Sequence, residues 1–278
     1  MVEKSSNFAL MSIAVKYIVL LCALAVSFFA HAGGADSTSV RPFTVVLDAG
    51  HGGKDWGCRG KISNEKSIVL DVVKRIDGLI KKKDSDSVKT VLTRKDDTFI
   101  ALDRRAAIAN EADADLFVSV HVNSVAARSP GRAKVNGASV YTVGLHKNEA
   151  NLEVAMRENG VIELEDDYSE TYQGFDPAMS ESYIIFELDQ HRHITQSIEA
   201  ASLIQKNLVA DAGRADKGVL QAGFLVLWAT RMPSVLVELD FICNPAAERF
   251  LASDKGRQKC AQAIYDAITT YRHKYSNL

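Results

Sequence analysis

The chain has 278 residues, enough for one large or two small domains with a sizeable buried core. Hydrophobic residues make up 47% and charged residues 24%, with no repeat or long polar tract, which excludes the collagen-like and disordered classes. Lys and Arg number 33 against 35 Asp and Glu, so no broad positive field exists for a phosphate backbone, and nucleic-acid binding is not expected. Four cysteines are too few for a disulfide framework and none stand as C-x-x-C, so any metal must be held by His and carboxylates.

Tyr17 to Ala30 is an apolar run, preceded by Lys16 and followed by Ala30-His31-Ala32, a small-x-small cleavage pattern. The run is short for a membrane span. Residues 1–32 are therefore expected to be a signal peptide and 33–41 a linker, with export to the periplasm or cell envelope and no stable span after cleavage. An uncleaved anchor is the alternative, and Met11 an alternative start. Cys22 leaves with the signal, so at least one of Cys58, Cys243 and Cys260 is unpaired.

Phe43 to Leu47 reads as a buried strand delivering Asp48-Ala49-Gly50-His51-Gly52-Gly53. Ile68, Val69, Val72, Val73, Ile76, Leu79 and Ile80 fall on one helical face, with Asn64 as N-cap and Glu65 in the first turn. Val88 to Thr93 is the next strand. Leu102 to Asn110 reads as a helix with Arg104 and Arg105 outward, and Leu116 to Val120 as a third strand. Gly137 to Val143 is a further strand, a helical stretch covers much of Ser180 to Ala212, and Phe224 to Leu227 and Ser234 to Leu239 close the sheet. Ala246 to Tyr275 is amphipathic and helical. The alternation predicts an α/β domain over 42–275: a mixed, mostly parallel sheet flanked by helices on both faces, with ligands at the carboxyl ends of strands.

His51 and His121 both follow such strand ends, Glu65 starts the helix between them, and Glu238 lies inside the apolar run Val235 to Phe241. An unpartnered carboxylate there would cost several kcal/mol. An ion pair with Arg94 or Arg104 is one answer. The other is a metal site: two imidazoles and one carboxylate leave a fourth tetrahedral position for water, the ligand count of a catalytic zinc. Such an ion activates water and polarises a carbonyl, and Glu238 suits the accompanying proton transfer.

Val45-Val46-Leu47-Asp48-Ala49-Gly50-His51-Gly52-Gly53, Asn64-Glu65-Lys66, Leu92-Thr93-Arg94, Leu102 with Arg105 and Ala109-Asn110, Ser119-Val120-His121-Val122-Asn123, and Val237-Glu238-Leu239-Asp240-Phe241-Ile242-Cys243-Asn244-Pro245 carry a resemblance. The chain resembles the zinc-dependent N-acetylmuramoyl-L-alanine amidases of the type-3 amidase family, in family order over nearly all of Arg41 to Tyr275. The resemblance implies His51, Glu65 and His121 as zinc ligands and Glu238 as the catalytic carboxylate. It implies peptidoglycan as substrate, cut between N-acetylmuramic acid and L-alanine. Arg94 and Asn123 are then either structural or substrate-orienting. Cys58 and Cys243 stand in motif regions, and their pairing stays open.

From Glu158 to Glu187 there are nine acidic residues and no Lys, Arg or His, with aromatic residues interspersed. Its plain reading is a solvated loop and helix start. Cell-separation members of the family carry an insertion here that folds over the zinc and contributes a blocking Glu until an activator displaces it. Residues 145–187 are accordingly a candidate regulatory lid, with Glu163 or Glu165 as the candidate blocker and an activator protein as the partner. A monomer is expected. Rival readings are a zinc cell-wall peptidase, which shares the His, Glu, His set, and a non-catalytic wall-binding module, against which all four filled positions argue.

Overall fold

The computed structural model describes residues 41–184 and 193–275. The expected signal peptide, the linker apart from Arg41, and residues 185–192 of the expected helical stretch lie outside the described residues. Elements in chain order are β1 (Phe43–Ala49), α1 (Glu65–Lys83), β2 (Val88–Leu92), α2 (Leu102–Glu111), β3 (Leu116–Asn123), β4 (Ala138–Val143), α3 (Glu149–Asn159), α4 (Tyr168–Thr171), α5 (Ile194–Ala210), β5 (Asp216–Ala222), α6 (Leu225–Trp228), β6 (Ser234–Phe241), α7 (Pro245–Ala252) and α8 (Asp254–Tyr275). Short 3₁₀ turns cover Gly160–Leu164 and Ser180–Ile184.

The sheet runs β2-β1-β3-β6-β4-β5, with only the β4–β6 pairing antiparallel. Its central strands are buried on both faces, which is why β1, β3 and β6 read as near-continuous apolar runs. Successive side chains point to opposite faces. Val45 and Leu47 pack with α1, α5 and α8. Val46, Phe117 and Leu236 pack on the other face with α2, α3 and α6. The mixed sheet covered on both sides is the fold class that the alternation predicts.

Two element assignments need correction. Phe224 to Leu227 is not a strand: Leu225–Trp228 is a helical turn whose apolar residues are buried in the second core. The edge strand is instead Asp216–Ala222, which opens on Asp216-Lys217-Gly218 and so shows no clean alternation. The Ala246 to Tyr275 stretch is two helices, broken at Ser253.

The local signals around the site act as read. Asn64 caps α1, its side chain accepting the Ser67 N–H at 3.0 Å. This fixes Glu65 as the first helical residue. β1 and β3 are parallel neighbours, and His121 on β3 stands in register with Glu238 on β6. The carboxyl ends of three adjacent strands thus gather the chemistry.

Candidate active site

His51, just past β1, has φ +61°, a conformation costly for a residue with a Cβ. Two arginines hold the turn. Arg94 donates to the carbonyls of Ala49 (2.9 Å) and Gly50 (2.8 Å), and Arg105 to those of Ala49 and His51 (2.8 Å each). Arg94 also donates to the carbonyls of Lys66 and Asp96, so its contacts are those of a loop clamp. Arg105, expected outward, is 2% exposed and pairs with the fully buried Asp48 at 2.7 Å. Arg104 does face out, beside Glu111.

Two glycines make room for the converging side chains. A Cβ on Gly50 would sit 2.4 Å from the His121 ring. On Gly57, at φ +61°, it would sit 2.6 Å from both Glu65 Oε2 and His51 Cδ2.

The structure brings His51, Glu65 and His121 together and adds Glu158, from the end of α3. One ligand atom from each lies within 4.8 Å of all the others. His51 Nε2 is 3.0 Å from Glu65 Oε1 and 3.2 Å from Glu158 Oε2; His121 Nδ1 is 3.2 Å and 3.0 Å from the same two oxygens. Despite these separations, His51 Nε2, His121 Nδ1 and Glu158 Oε2 are buried without hydrogen-bond partners.

The outer partners explain which nitrogens face inward. His51 Nδ1 lies 2.6 Å from Asp55 Oδ2, so that carboxylate takes the ring N–H and leaves Nε2 with its lone pair. Ser119 Oγ spends its proton on Asp48 Oδ2 at 2.6 Å and accepts from His121 Nε2 at 3.1 Å, leaving the lone pair on Nδ1. Glu65 is fixed by the N–H groups of Cys58 and Val122, both 2.7 Å away. Tetrahedral ligands held about 2.0–2.1 Å from one ion stand roughly 3.3 Å apart. Four buried ligand atoms whose His–Glu separations are 3.0–3.2 Å therefore fit a divalent cation, and three of them, His51 Nε2, His121 Nδ1 and Glu158 Oε2, are unsatisfied without one.

The electrostatics agree. Burial disfavours the charge on Glu65, yet His51 beside it holds its carboxyl down at about 2. Burial likewise disfavours a charged His121, but Glu158 and Glu65 outweigh it and raise the ring to about 9; His51 moves in the same direction for the same reason. Two carboxylates in a closed space demand positive charge.

Glu238 stands outside this quartet but beside it. Its side chain is fully buried, and burial together with the Glu158 carboxylate pushes its pKa up to about 8. Its arginine neighbour is neither Arg94 nor Arg104 but Arg157, whose Nη2 lies 3.4 Å from Glu238 Oε1. Glu238 Oε2 has no partner. Asn123 Oδ1 accepts from Arg157 Nη2 at 3.1 Å.

Neither Glu163 nor Glu165 reaches the quartet. Glu163 is exposed, while Glu165 accepts the Leu102 N–H at 2.8 Å and the Tyr172 hydroxyl at 2.8 Å, capping α2, whose own N-cap Ala101 offers no side-chain acceptor. Glu158 and Arg157 escape the sequence reading because α3 carries no motif. One signal did exist: Glu158 continues the helical face of Val154 and Ala155, where a buried carboxylate requires a partner. Cys58, Cys243 and Cys260 are all free.

Residues 45–270 match the sequence model of the N-acetylmuramoyl-L-alanine amidase family. The chain belongs to this family. It is 34% identical over 236 residues to the N-acetylmuramoyl-L-alanine amidase AmiA of Escherichia coli K12, covering 84% of this chain and 77% of that protein. Among solved structures it resembles the N-acetylmuramoyl-L-alanine amidase of Clostridium difficile 630, with a TM-score of 0.61 at 24% identity over 84% of this chain and 98% of that one. It also resembles the CwlD amidase of Clostridioides difficile, solved in complex with the GerS lipoprotein, with a TM-score of 0.58 at 23% identity over 84% and 99% of the two chains. At these identities the two structures bear on the fold, which is shared with known amidases.

Proposed function

We propose that this amidase-family enzyme is zinc-dependent and hydrolyses the amide between N-acetylmuramic acid and L-alanine in peptidoglycan. In this reading His51, Glu65 and His121 hold the zinc and Glu238 transfers the proton. The observation that carries it is the convergence of buried, unpartnered lone pairs on one point. When bound, zinc activates water at neutral pH and polarises the scissile carbonyl. The chain's own residues do the rest. Asp55, Ser119 and Asp48 keep each histidine in the tautomer that offers its lone pair. Glu238, raised by burial toward neutral pH, accepts a proton from the attacking water and returns it to the leaving amine.

Glu158 is, in this reading, the blocking ligand of a lid spanning 145–187. A catalytic zinc site keeps one position open, whereas four protein ligands close it. Arg157 closes the second half of the machinery by standing against Glu238 and Glu158 together. A partner protein that draws α3 away would release both groups at once; the CwlD structure, solved with a lipoprotein bound, makes protein partners a reasonable class to test. The apolar run Tyr17 to Ala30 supports export to the envelope, where the substrate resides.

Digestion of purified peptidoglycan tests this reading. Release of whole stem peptides from intact glycan, with one zinc per chain, is expected. Loss of single terminal amino acids would indicate the peptidase, and no product even with the lid displaced a binding module. His121→Ala should lose both zinc and hydrolysis.

A further inference from the structure

Beside the quartet lies a second, much larger space of about 700 Å³. Its walls come from the loop after β1, the loop between β3 and β4, the start of β5, and one side of α3. Asn123 and Arg157 line it, and Arg157 reaches Glu238 at 3.4 Å. Ser139, another wall residue, is the cross-strand partner of Glu238. A ligand filling this space would end one side chain away from Glu238.

Its charge is opposite to that of the protein. The whole chain carries −2, yet the cavity is lined by Arg59, Arg132, Lys217 and Arg157 against a single carboxylate, Glu153. Arg157 and Glu153 sit on α3. Arg59, Arg132 and Lys217 come from three separate places on the body, so they stay when α3 leaves.

None of these three forms an ion pair among the described residues. Arg59 lies over the Trp56 ring, Lys217 over Phe241, and Arg132 donates to Val125 O and Ser124 Oγ. By contrast, Arg75, Arg104, Arg105, Arg214 and Arg257 each have a carboxylate partner. Three unmatched cations around one cavity point to an anionic ligand.

We infer that this cavity is the subsite for the peptide arm of the substrate, and that Arg59, Arg132 and Lys217 bind its carboxylates. This rests on the amidase reading and deepens it. The scissile amide joins a sugar chain to a peptide. N-acetylated sugars bring no anion to three cations, whereas a stem peptide brings free carboxylates. Charge therefore sets the direction in which the substrate lies, peptide toward Arg132 and Lys217, glycan away from them. With α3 in place the space is already within the size range of specific ligand sites, and it widens when α3 leaves.

The test is equilibrium binding to the full chain of L-alanyl-γ-D-glutamyl-L-lysine and of the same peptide with its carboxylates amidated. The free acid is expected to bind about tenfold more tightly, with an advantage that shrinks as salt rises. R132Q and K217Q should each weaken the free acid about five- to tenfold and leave the amidated peptide unchanged. Both side chains lie at the surface or half-buried, and circular dichroism of each variant checks its fold. Equal binding of the two peptides by the wild-type chain overturns the inference, as do two folded variants that bind the acid normally. Peptidoglycan digestion by the Glu158→Ala chain, freed of the blocking carboxylate, is scored separately. Acid-selective binding without digestion sinks the amidase reading and leaves the anionic site standing; digestion without selectivity does the reverse.

Discussion

Glu65 and Glu158 both stand 3.0–3.2 Å from the same two histidine nitrogens, yet removing them should have opposite effects. Glu65 is locked into the body by two backbone N–H groups, so Glu65→Ala should cost metal and activity together. Glu158 arrives on α3 and touches His51, His121 and Arg157 at 3.0–3.2 Å. Glu158→Ala removes those contacts from the closed form only. A contact to a charged group is worth about 1.5–3 kcal/mol, and losing one such net contact shifts the lid toward the open form by roughly 10–150-fold. The remaining hold is considerable: Ile162 and Tyr183 are buried, and Glu165 and Tyr172 cap α2. Glu158→Ala should therefore raise unassisted peptidoglycan hydrolysis by at least about tenfold while keeping one metal per chain. Dye release from labelled peptidoglycan, run beside elemental analysis, reads both quantities. If Glu158→Ala loses its metal, Glu158 is a constitutive ligand and the lid argument fails; unchanged activity with metal retained refutes it equally.

Other substitutions separate roles that geometry alone places side by side. Glu238→Gln should keep full metal content and lose hydrolysis by about 10²–10⁴-fold, measured as new peptide amino termini. Gly57→Ala replaces no ligand, but its Cβ would lie 2.6 Å from Glu65 and from His51, so metal binding should drop sharply in a titration of the metal-free chain. Asp48→Asn leaves Arg105 buried beside a neutral amide. Burial alone would raise the Asp48 carboxyl, yet Arg105, Ser119 and Thr93 together hold it below its usual value, a measure of how strongly the site favours the charge. Breaking such a pair costs about 3–5 kcal/mol, and a domain of this size loses roughly 2–4 °C per kcal/mol, so calorimetry should record a Tm drop of roughly 6–20 °C.

What the sequence discloses about this site follows the range of the forces involved. The β1 strand, its glycine-rich loop and the Asn64 cap are local: each depends on neighbours within a few residues, and each is where the pattern places it. Phe224 to Leu227 failed because four apolar residues in a row do not distinguish a period of 2 from one of 3.6. Whether such a run becomes strand or helical turn was decided by its neighbours across the chain, with Asn159 of α3 accepting the Leu225 N–H at 3.0 Å.

Arg105 and Glu158 are a different kind of miss, because the pattern contained them. Arg105 lies three residues after Leu102 and four before Ala109, on the face that packs inward. Glu158 lies four after Val154 and three after Ala155. The expectation that charges face solvent overrode the periodicity in both cases. Yet a charged residue on the apolar face of a helix must find a partner when the face is buried, and the partners here are Asp48 and the histidine cluster. The same holds in the strands, where Asp48, Ser119, His121 and Glu238 interrupt otherwise apolar runs and all four are buried. Polar residues that break a buried face therefore mark the same network from the sheet and from both flanking helices, and reading them as a set, rather than strand by strand, places Glu158 in the candidate metal cluster.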